Sequence, residues 1–550
     1  MAPDQAAAAS PGLAAPAGLA ARPASPDRAG DIWWTVVLAL AVLILAAPTW
    51  SVLIPPLPDY LDHLARLDVL AHGAADPVLR QLYRAEWAPI PNLAMDLVGL
   101  PLAKLLPIED AGRVFVTLCL ASWVAGPLAV HWALYRRLGL GPLLAVFFVL
   151  NASFFFGFLN FVFGVGLAYL TLAAWVATDG WGPGRRLPML AALATVVYLA
   201  HLLAFLVLGL FVLGYELALA GEQGGLRPRP LLARLVPPGA CFLPAVGLYL
   251  LAKPRTPGEQ ELVFFHSPMS LLLRWSAAVW TSFGRPDFLV LGALAVLAAL
   301  LLLAGAATVH RRARPALVLV AVAALLMPET ALGGWGAFLR LPAVAGALFF
   351  ASLDVRLSRP GAAALAAAAL VVLGYRATSL AEVWRGYDRQ LGEFRAALTG
   401  LEGDAPRLLM AVNRTDKWHD WMYDHIGSLG IIDRHAYVSI LYSIPGQQVV
   451  RSAGPLAPAA PTTTEGYEPV DAPYLGALAG APGAPAVPEV WRYLRDWPCH
   501  FDYAAVLGPD RGNPAPAYLA QVKAGSFFTL YRVRPADRCP AVGSTSPARR

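Results

Sequence analysis

Several signatures of soluble chemistry are missing from this chain. It has no phosphate-binding loop, no dinucleotide fingerprint, no G-x-S-x-G elbow, no H-E-x-x-H and no C-x-x-C. These absences argue against a nucleotide-driven pump, a serine hydrolase and a zinc protease. Charge is scarce too: 14% of the 550 residues are Asp, Glu, Lys or Arg, against roughly 25% in a soluble globular chain. The formal charge of +6 comes from arginines scattered through short loops, which gives no footprint for nucleic acid. Four cysteines are too few for a disulfide framework. Cys119 and Cys241 lie in apolar runs, and Cys499 and Cys539 in the polar C-terminal region, where an oxidising compartment would allow them to pair. No repeat of 20–50 residues is visible.

What the chain has in abundance is apolar sequence, 57% of all residues. Apolar runs fall at about 33–53, 111–135, 141–156, 158–178, 187–201, 202–219, 235–252, 287–309, 315–328, 340–355 and 361–375. The first is too long for a signal-peptide core and reads as a signal anchor that stays as a helix. Several others are shorter than the ~20 residues of a straight span, so they must be distorted or border a cavity. Every even-numbered run ends in a basic loop: Arg136-Arg137, Arg185-Arg186, Arg227 to Arg234, Arg311 to Arg314, and Arg356 with Arg359. The positive-inside rule places these loops in the cytoplasm. The expected fold is a polytopic α-helical membrane protein of about eleven transmembrane helices in the cytoplasmic (inner) membrane. Residues 1–32 form a disordered cytoplasmic tail, 33–375 the membrane module, and 376–550 an extracytoplasmic α/β domain. In that domain Trp384–Leu398 and Val490–Asp496 read as helices, and Leu408–Val412, Tyr437–Leu441, Tyr503–Leu507 and Phe527–Val533 as strands. The Pro/Ala/Gly-rich stretch 451–488 reads as a long loop. Residues 91–107 are apolar but carry Asp96 and Lys104, and read as a helix lying at the outer interface.

The first outer loop, about 54–110, opens with Pro58-Asp59-Tyr60-Leu61-Asp62-His63-Leu64-Ala65-Arg66. On a helix, Asp59, His63 and Arg66 share one face by their i, i+4, i+7 spacing, and Asp62 can pair with Arg66 at i, i+4. A carboxylate, an imidazole and a guanidinium thus gather where the chain leaves the bilayer. Asp59 could instead cap the helix. Asp59, Asp62 and His63 could form a catalytic group or hold a divalent cation. His201 sits between two apolar runs and either packs or lines a cavity. Lys253, Arg255 and Arg340 are basic residues on the outer face, where the loop-charge trend disfavours them; they can be solvated or can hold an anionic head group. Trp418, His419, Asp420, Trp421, Tyr423, Asp424 and His425 form an aromatic and acidic cluster of the kind that binds sugars, or the edge of a domain core.

This arrangement resembles the GT-C class of integral-membrane glycosyltransferases, which use polyprenyl-phosphate-linked sugars, as in the bacterial lipid A aminoarabinose transferase and protein O-mannosyltransferase families. The resemblance covers about 33–375 in architecture. Its local motif is Asp59-Tyr60-Leu61-Asp62-His63-Leu64-Ala65-Arg66, similar to the acidic residue followed by an Ala-Arg pair in that class. The loop Pro328 to Arg340 is similar to a later loop whose arginine approaches the lipid phosphate. The family's Asp-Glu or Glu-x-Asp pair is replaced by Asp59-Tyr60. The resemblance implies an inverting transfer from a lipid-linked sugar donor to a cell-envelope acceptor (lipid, glycan or protein). Catalysis would fall to Asp59, Asp62 and His63, and substrate binding to Arg66, His201, Lys253, Arg255 and Arg340. It implies no soluble nucleotide and no certain cofactor, with a divalent cation left open. Two other classes fit the composition: a transporter or flippase, which would carry charges near the midplane, and a membrane scaffold with an outer binding domain.

Overall fold

The computed structural model describes residues 28–223, 227–252, 275–280, 285–331, 334–414, 421–461, 464–478, 486–536 and 539. The apolar runs fold as helices, but not all at spanning length. Five helices are long and apolar enough to cross a membrane: Ala29–Trp50, Ile108–Tyr135, Leu159–Ala177, Leu202–Glu222 and Arg359–Leu398. A sixth candidate is the pair Pro228–Ala240 and Leu243–Ala252, bent by 52° just after Pro237-Pro238, whose rings remove two backbone donors. The expected count of about eleven spans is therefore not reached among the described residues. The run 141–156 shows why. It breaks into helix Leu140–Ala145, a 3₁₀ turn at Val146–Phe148 and helix Ala152–Phe155, all buried in protein. Non-helical backbone is tolerated at such depth only where protein, not lipid, surrounds it.

The basic loops meet at one end of the bundle and neutralise one another's acids there. Arg312 grips Glu222 (2.9 Å), Arg186 meets Asp179 (3.1 Å) and Arg234 meets Glu216 (2.8 Å). Asp354 takes both Arg137 and Arg356. Two of these contacts, Arg312–Glu222 and Arg137–Asp354, tie together segments 90 and 217 residues apart in sequence.

The opposite end carries the sheet-containing C-terminal region. Helix Arg359–Leu398 runs unbroken for 40 residues, so the expected helix Trp384–Leu398 is the continuation of the last apolar run and no break falls at 376. Beyond the bundle it is pinned by Asp388, which accepts the amide hydrogens of Leu53 (3.0 Å) and Ile54 (3.4 Å). Six strands form one sheet. Leu519–Ala524 pairs with Phe528–Val533, and Phe528–Val533 with Tyr503–Leu507, both antiparallel. Tyr503–Leu507 then lies parallel to Arg407–Val412. Short strands Tyr437–Val438 and Val470–Asp471 share the far edge of Arg407–Val412. Leu408 to Val412 are all buried, as a strand paired on both sides requires. The stretch 451–488 is more structured than a loop: it holds strand residues to Ser452, a 3₁₀ segment Gly454–Ala459 and helix Ala472–Leu478. Glu489–Leu494 is 3₁₀ and not α-helical. Cys499 and Cys539 are joined by a disulfide, with Cα atoms 5.3 Å apart.

The first loop is built into this region, not draped over it. Strand Tyr83–Ala85 pairs antiparallel with Val450–Ser452. Helix Pro58–His72 lies beneath, with Tyr60 to Val69 buried. The expected interfacial segment forms the short helix Ala94–Ala103, whose Gly99 lets Leu67 approach so closely that a Cβ there would lie 2.9 Å from Leu67 Cδ2. Arg66 is 1% exposed. Its Nε donates to Asp96 (2.8 Å), and one terminal nitrogen donates to Gln448 (2.5 Å). The other lies 2.7 Å from His63 Nδ1. The Asp62–Arg66 pair suggested by spacing is not formed, because Arg66 is drawn to the carboxylate of Asp96 on the neighbouring helix.

Two outcomes follow. Alkylation of the unreduced, denatured protein should modify Cys119 and Cys241 alone; labelling of all four cysteines would refute the bond. Asp96→Ala leaves Arg66 charged and uncompensated, which costs about 3–5 kcal/mol. It should lower the melting temperature in detergent sharply, while Asp96→Asn should lower it less; an unchanged melt in the alanine variant would show that the pair is not a tether.

Candidate functional site

Helix Pro58–His72 starts with proline at its first position, where the missing donor costs nothing. Leu57 is the N-cap residue and no side chain caps the helix, so Asp59 is not spent on capping. Its carboxylate lies in the first turn, where the helix dipole favours negative charge. The Asp59 amide donates to Phe156 O (3.1 Å). That contact depends on Gly157, which has φ +83° and lies so close that a Cβ would come 2.8 Å from Tyr60 N. Both the backbone conformation and the space exclude a side chain there.

Asp59 and Asp62 converge on His425 from the C-terminal region. His425 Nε2 is 3.8 Å from Asp59 Oδ1, and Nδ1 is 3.3 Å from Asp62 Oδ2. Neither approach is aligned as a hydrogen bond, and Nδ1 has no hydrogen-bond partner. Asp62 is held firmly: Oδ1 accepts from the Ser428 hydroxyl, and Oδ2 from the Tyr442 amide (3.2 Å). Asp59 keeps 27% of its side chain accessible, while Asp62 keeps 2%. Burial pushes the Asp59 carboxyl up to about 6, with Asp62 adding to the rise and His425, Arg340 and Arg66 opposing it. Burial pushes Asp62 up to about 7, against the hydrogen bonds from Ser428 and Tyr442. Burial, then the Arg66 charge, holds His63 well below the usual imidazole range.

Arg340 completes this side of the site. Its guanidinium lies 4.3 Å over the ring of Phe158, one residue past the Gly157 turn that touches Asp59. One terminal nitrogen donates to Trp335 O (3.3 Å); the other lies 3.4 Å from His201 Nε2. The His201 contact is informative. His201 Nδ1 accepts the Leu203 amide hydrogen at 3.1 Å as a helix cap, so a neutral imidazole carries its proton on Nε2. Two donors therefore face each other, and Arg340 Nε is buried with no partner. An acceptor, preferably an anion, is what these groups call for.

An aromatic wall borders the two charged groups. Trp335 and Trp421 stack at 5.5 Å, and Phe156 meets them edge-on at 5.3 and 5.7 Å. Trp280 and Phe158 pack against Phe156 as well.

Of the residues singled out from sequence, the structure brings together Asp59, Asp62, Arg340 and His201. His63 and Arg66 engage each other, and Arg66 engages Asp96, while His63 still lies close enough to His425 and His201 for their charges to bear on it. Lys253, Arg255, Trp418, His419 and Asp420 lie outside the described residues. Among the described residues no group of three or more His, Cys, Asp or Glu is placed to hold a metal ion; His63, needed as a third ligand beside the two aspartates, faces Arg66. His425 was visible in the sequence only as one member of an aromatic and acidic cluster. Nothing local marks it as the partner of Asp59.

No family model matches the sequence, and no curated protein matches it. Among solved structures, the chain is similar to the arabinofuranosyltransferase AftD from Mycobacteria, at 17% identity and a TM-score of 0.46 over 92% of this chain. It spans 40% of the length of AftD. It is also similar to ArnT from Cupriavidus metallidurans, a structure bound to undecaprenyl phosphate, at 15% identity and a TM-score of 0.43, covering 91% of this chain and 98% of ArnT.

Proposed function

We propose that this chain is a membrane glycosyltransferase that moves a sugar from a polyprenyl phosphate to an acceptor hydroxyl at the outer face of the cytoplasmic membrane, with inversion at C1. One observation carries the reading. The unsatisfied donors of Arg340 and His201 sit beside a partly accessible carboxylate, Asp59, across a single glycine turn. A leaving phosphate needs fixed positive charge and donors already in place, and an attacking hydroxyl needs a base. Both are supplied within one site, and the aromatic wall offers an apolar surface to a prenyl chain or a stacking face to a sugar ring.

In the proposed reaction the acceptor oxygen attacks C1 while the C1–O bond to phosphate breaks, its electron pair leaving with the polyprenyl phosphate. Arg340 holds the phosphate oxygens, with His201 Nε2–H as a second donor; Lys253 and Arg255 are further candidates for that charge. Asp59 accepts the hydroxyl proton. The outer placement rests on the basic loops, all gathered at the end away from Asp59, which the positive-inside rule assigns to the cytoplasm.

Asp59→Asn should express normally and lose transfer by ~10²–10⁴-fold, the range for loss of a general base. The wild-type rate should fall about tenfold per pH unit below about 6, because the ionised form is the base and its pKa is raised. The sign for stability is opposite. A carboxyl raised in the folded state contributes stability that is present below its unfolded pKa of 3.8 and lost as pH rises through about 6, so the asparagine variant should melt no lower than wild type at pH 8. Full transfer by Asp59→Asn in membrane extracts would sink this mechanism.

Arg340→Lys keeps the charge and loses the planar fork. The expected outcome is a raised KM for the lipid-linked donor with an unchanged melting temperature. Donor dependence identical to wild type in Arg340→Ala would remove Arg340 from the phosphate.

A further inference from the structure

Behind Asp59 stands a second ionisable layer that the transfer reaction as written does not use. His425 is 4% exposed and lies between the two aspartates. Asp62 is held by Ser428 and by the Tyr442 amide, both from the same segment that carries His425. Tyr442 also packs on the imidazole, with ring centres 4.9 Å apart. The imidazole and the carboxylate that faces its Nδ1 are thus positioned by one short stretch of chain, and Nδ1 has no other partner. The imidazole stands between two carboxylates at 3.8 and 3.3 Å, neither approach aligned as a hydrogen bond here, and catalytic hydrogen bonds of this kind often tighten when substrate binds.

We infer that His425 and Asp62 form a proton relay behind Asp59, in which Asp62 keeps the proton of neutral His425 on Nδ1 and the bare Nε2 relieves Asp59 of the proton taken from the acceptor. The inference rests on the transfer reading above. The step balances as follows. The acceptor O–H proton passes to Asp59 as the new C1–O bond forms and the C1–O bond to phosphate breaks. Asp59 passes that proton to His425 Nε2 and returns to carboxylate. The resulting imidazolium faces the Asp62 carboxylate and loses a proton to water as the products leave. Asp62 touches neither substrate nor reacting atom and is a positioning residue. Burial raises the Asp59 carboxyl and lowers the His425 imidazole, with Asp59 itself opposing the fall, so the two groups shift toward each other from their ordinary values. The other groups acting on His425 are Glu468, which favours its charged form, and His63, whose own titration feels it. Asp424 and Tyr442 lie in the same neighbourhood.

Two measurements on the full chain test the relay. In nitrogen-15 histidine spectra of the protein in lipid nanodiscs at pH 8, His425 should show the Nδ1–H tautomer, and Asp62→Asn should shift it toward Nε2–H. An Nε2–H tautomer in wild type would overturn the relay whatever the activity. In the second, a synthetic farnesyl-phosphate hexose is the donor and membrane extract supplies the acceptor. His425→Gln should lower kcat by ~10²-fold with an unchanged KM for the donor. Its acid limb should move to higher pH, because His425 is a group that lowers the Asp59 pKa. Asp62→Asn should lower kcat in the same direction. Turnover by wild type with an unchanged kcat and pH profile in His425→Gln would overturn the relay alone. Absence of turnover by wild type would overturn the transfer reading and the relay with it. A melting curve on each variant separates loss of fold from loss of proton transfer.

Discussion

Burial of the charged groups on helix Pro58–His72 is the constraint on which the rest of this structure depends. Asp62 and Arg66 are each 1% exposed and His63 is 7% exposed. A buried charge without a partner costs several kcal/mol, so the helix can exist here only if other elements supply partners. They come from two directions. Asp96 on the next short helix takes Arg66, and the C-terminal region gives Gln448 to Arg66, and Ser428 and the Tyr442 amide to Asp62. Membrane module and sheet-containing region therefore meet through hydrogen bonds to the first loop, and the pairing of Tyr83–Ala85 with Val450–Ser452 closes the joint.

That joint divides the helix into two kinds of chemistry. The turn bearing His63 and Arg66 is satisfied and closed, which suits a structural anchor. The turn bearing Asp59 is partly open and under-satisfied, with raised carboxyl pKa values and an imidazole whose Nδ1 is unpartnered. Titratable groups left in that state are candidates for chemistry. The same contrast holds for arginine. Arg66 has all its neighbours in place, whereas Arg340 has an unpartnered Nε and a second donor, His201, facing it.

The basic end of the bundle shows a third use of charge. There Arg137, Arg186, Arg234 and Arg312 each find a carboxylate from another element or turn. These pairs are partly exposed and individually worth little, but together they fix the order of helix ends whose apolar faces alone would pack in many registers.

The sequence by itself determined the membrane character, the positions of the helical segments, the mixed sheet near residues 407–412, 503–507 and 528–533, and the candidacy of Asp59 and Arg340. Each of these is written in local terms: apolar runs, arginine spacing, strand-forming residues, or an acid next to a helix start. Run length alone did not decide how many segments span, because burial inside protein lets 141–156 break where lipid would not. The tertiary structure decided the partners. The i, i+4 spacing offered Asp62 to Arg66, yet Asp96 on another helix takes the guanidinium, since a buried arginine goes to whichever carboxylate the packing brings into its plane. His425 joins Asp59 and Asp62 from a segment hundreds of residues away, and Arg340 reaches the same neighbourhood by stacking on Phe158, next to the Gly157 turn. Helical periodicity reports which side chains share a face; it carries no information on what another segment of the chain will place opposite that face.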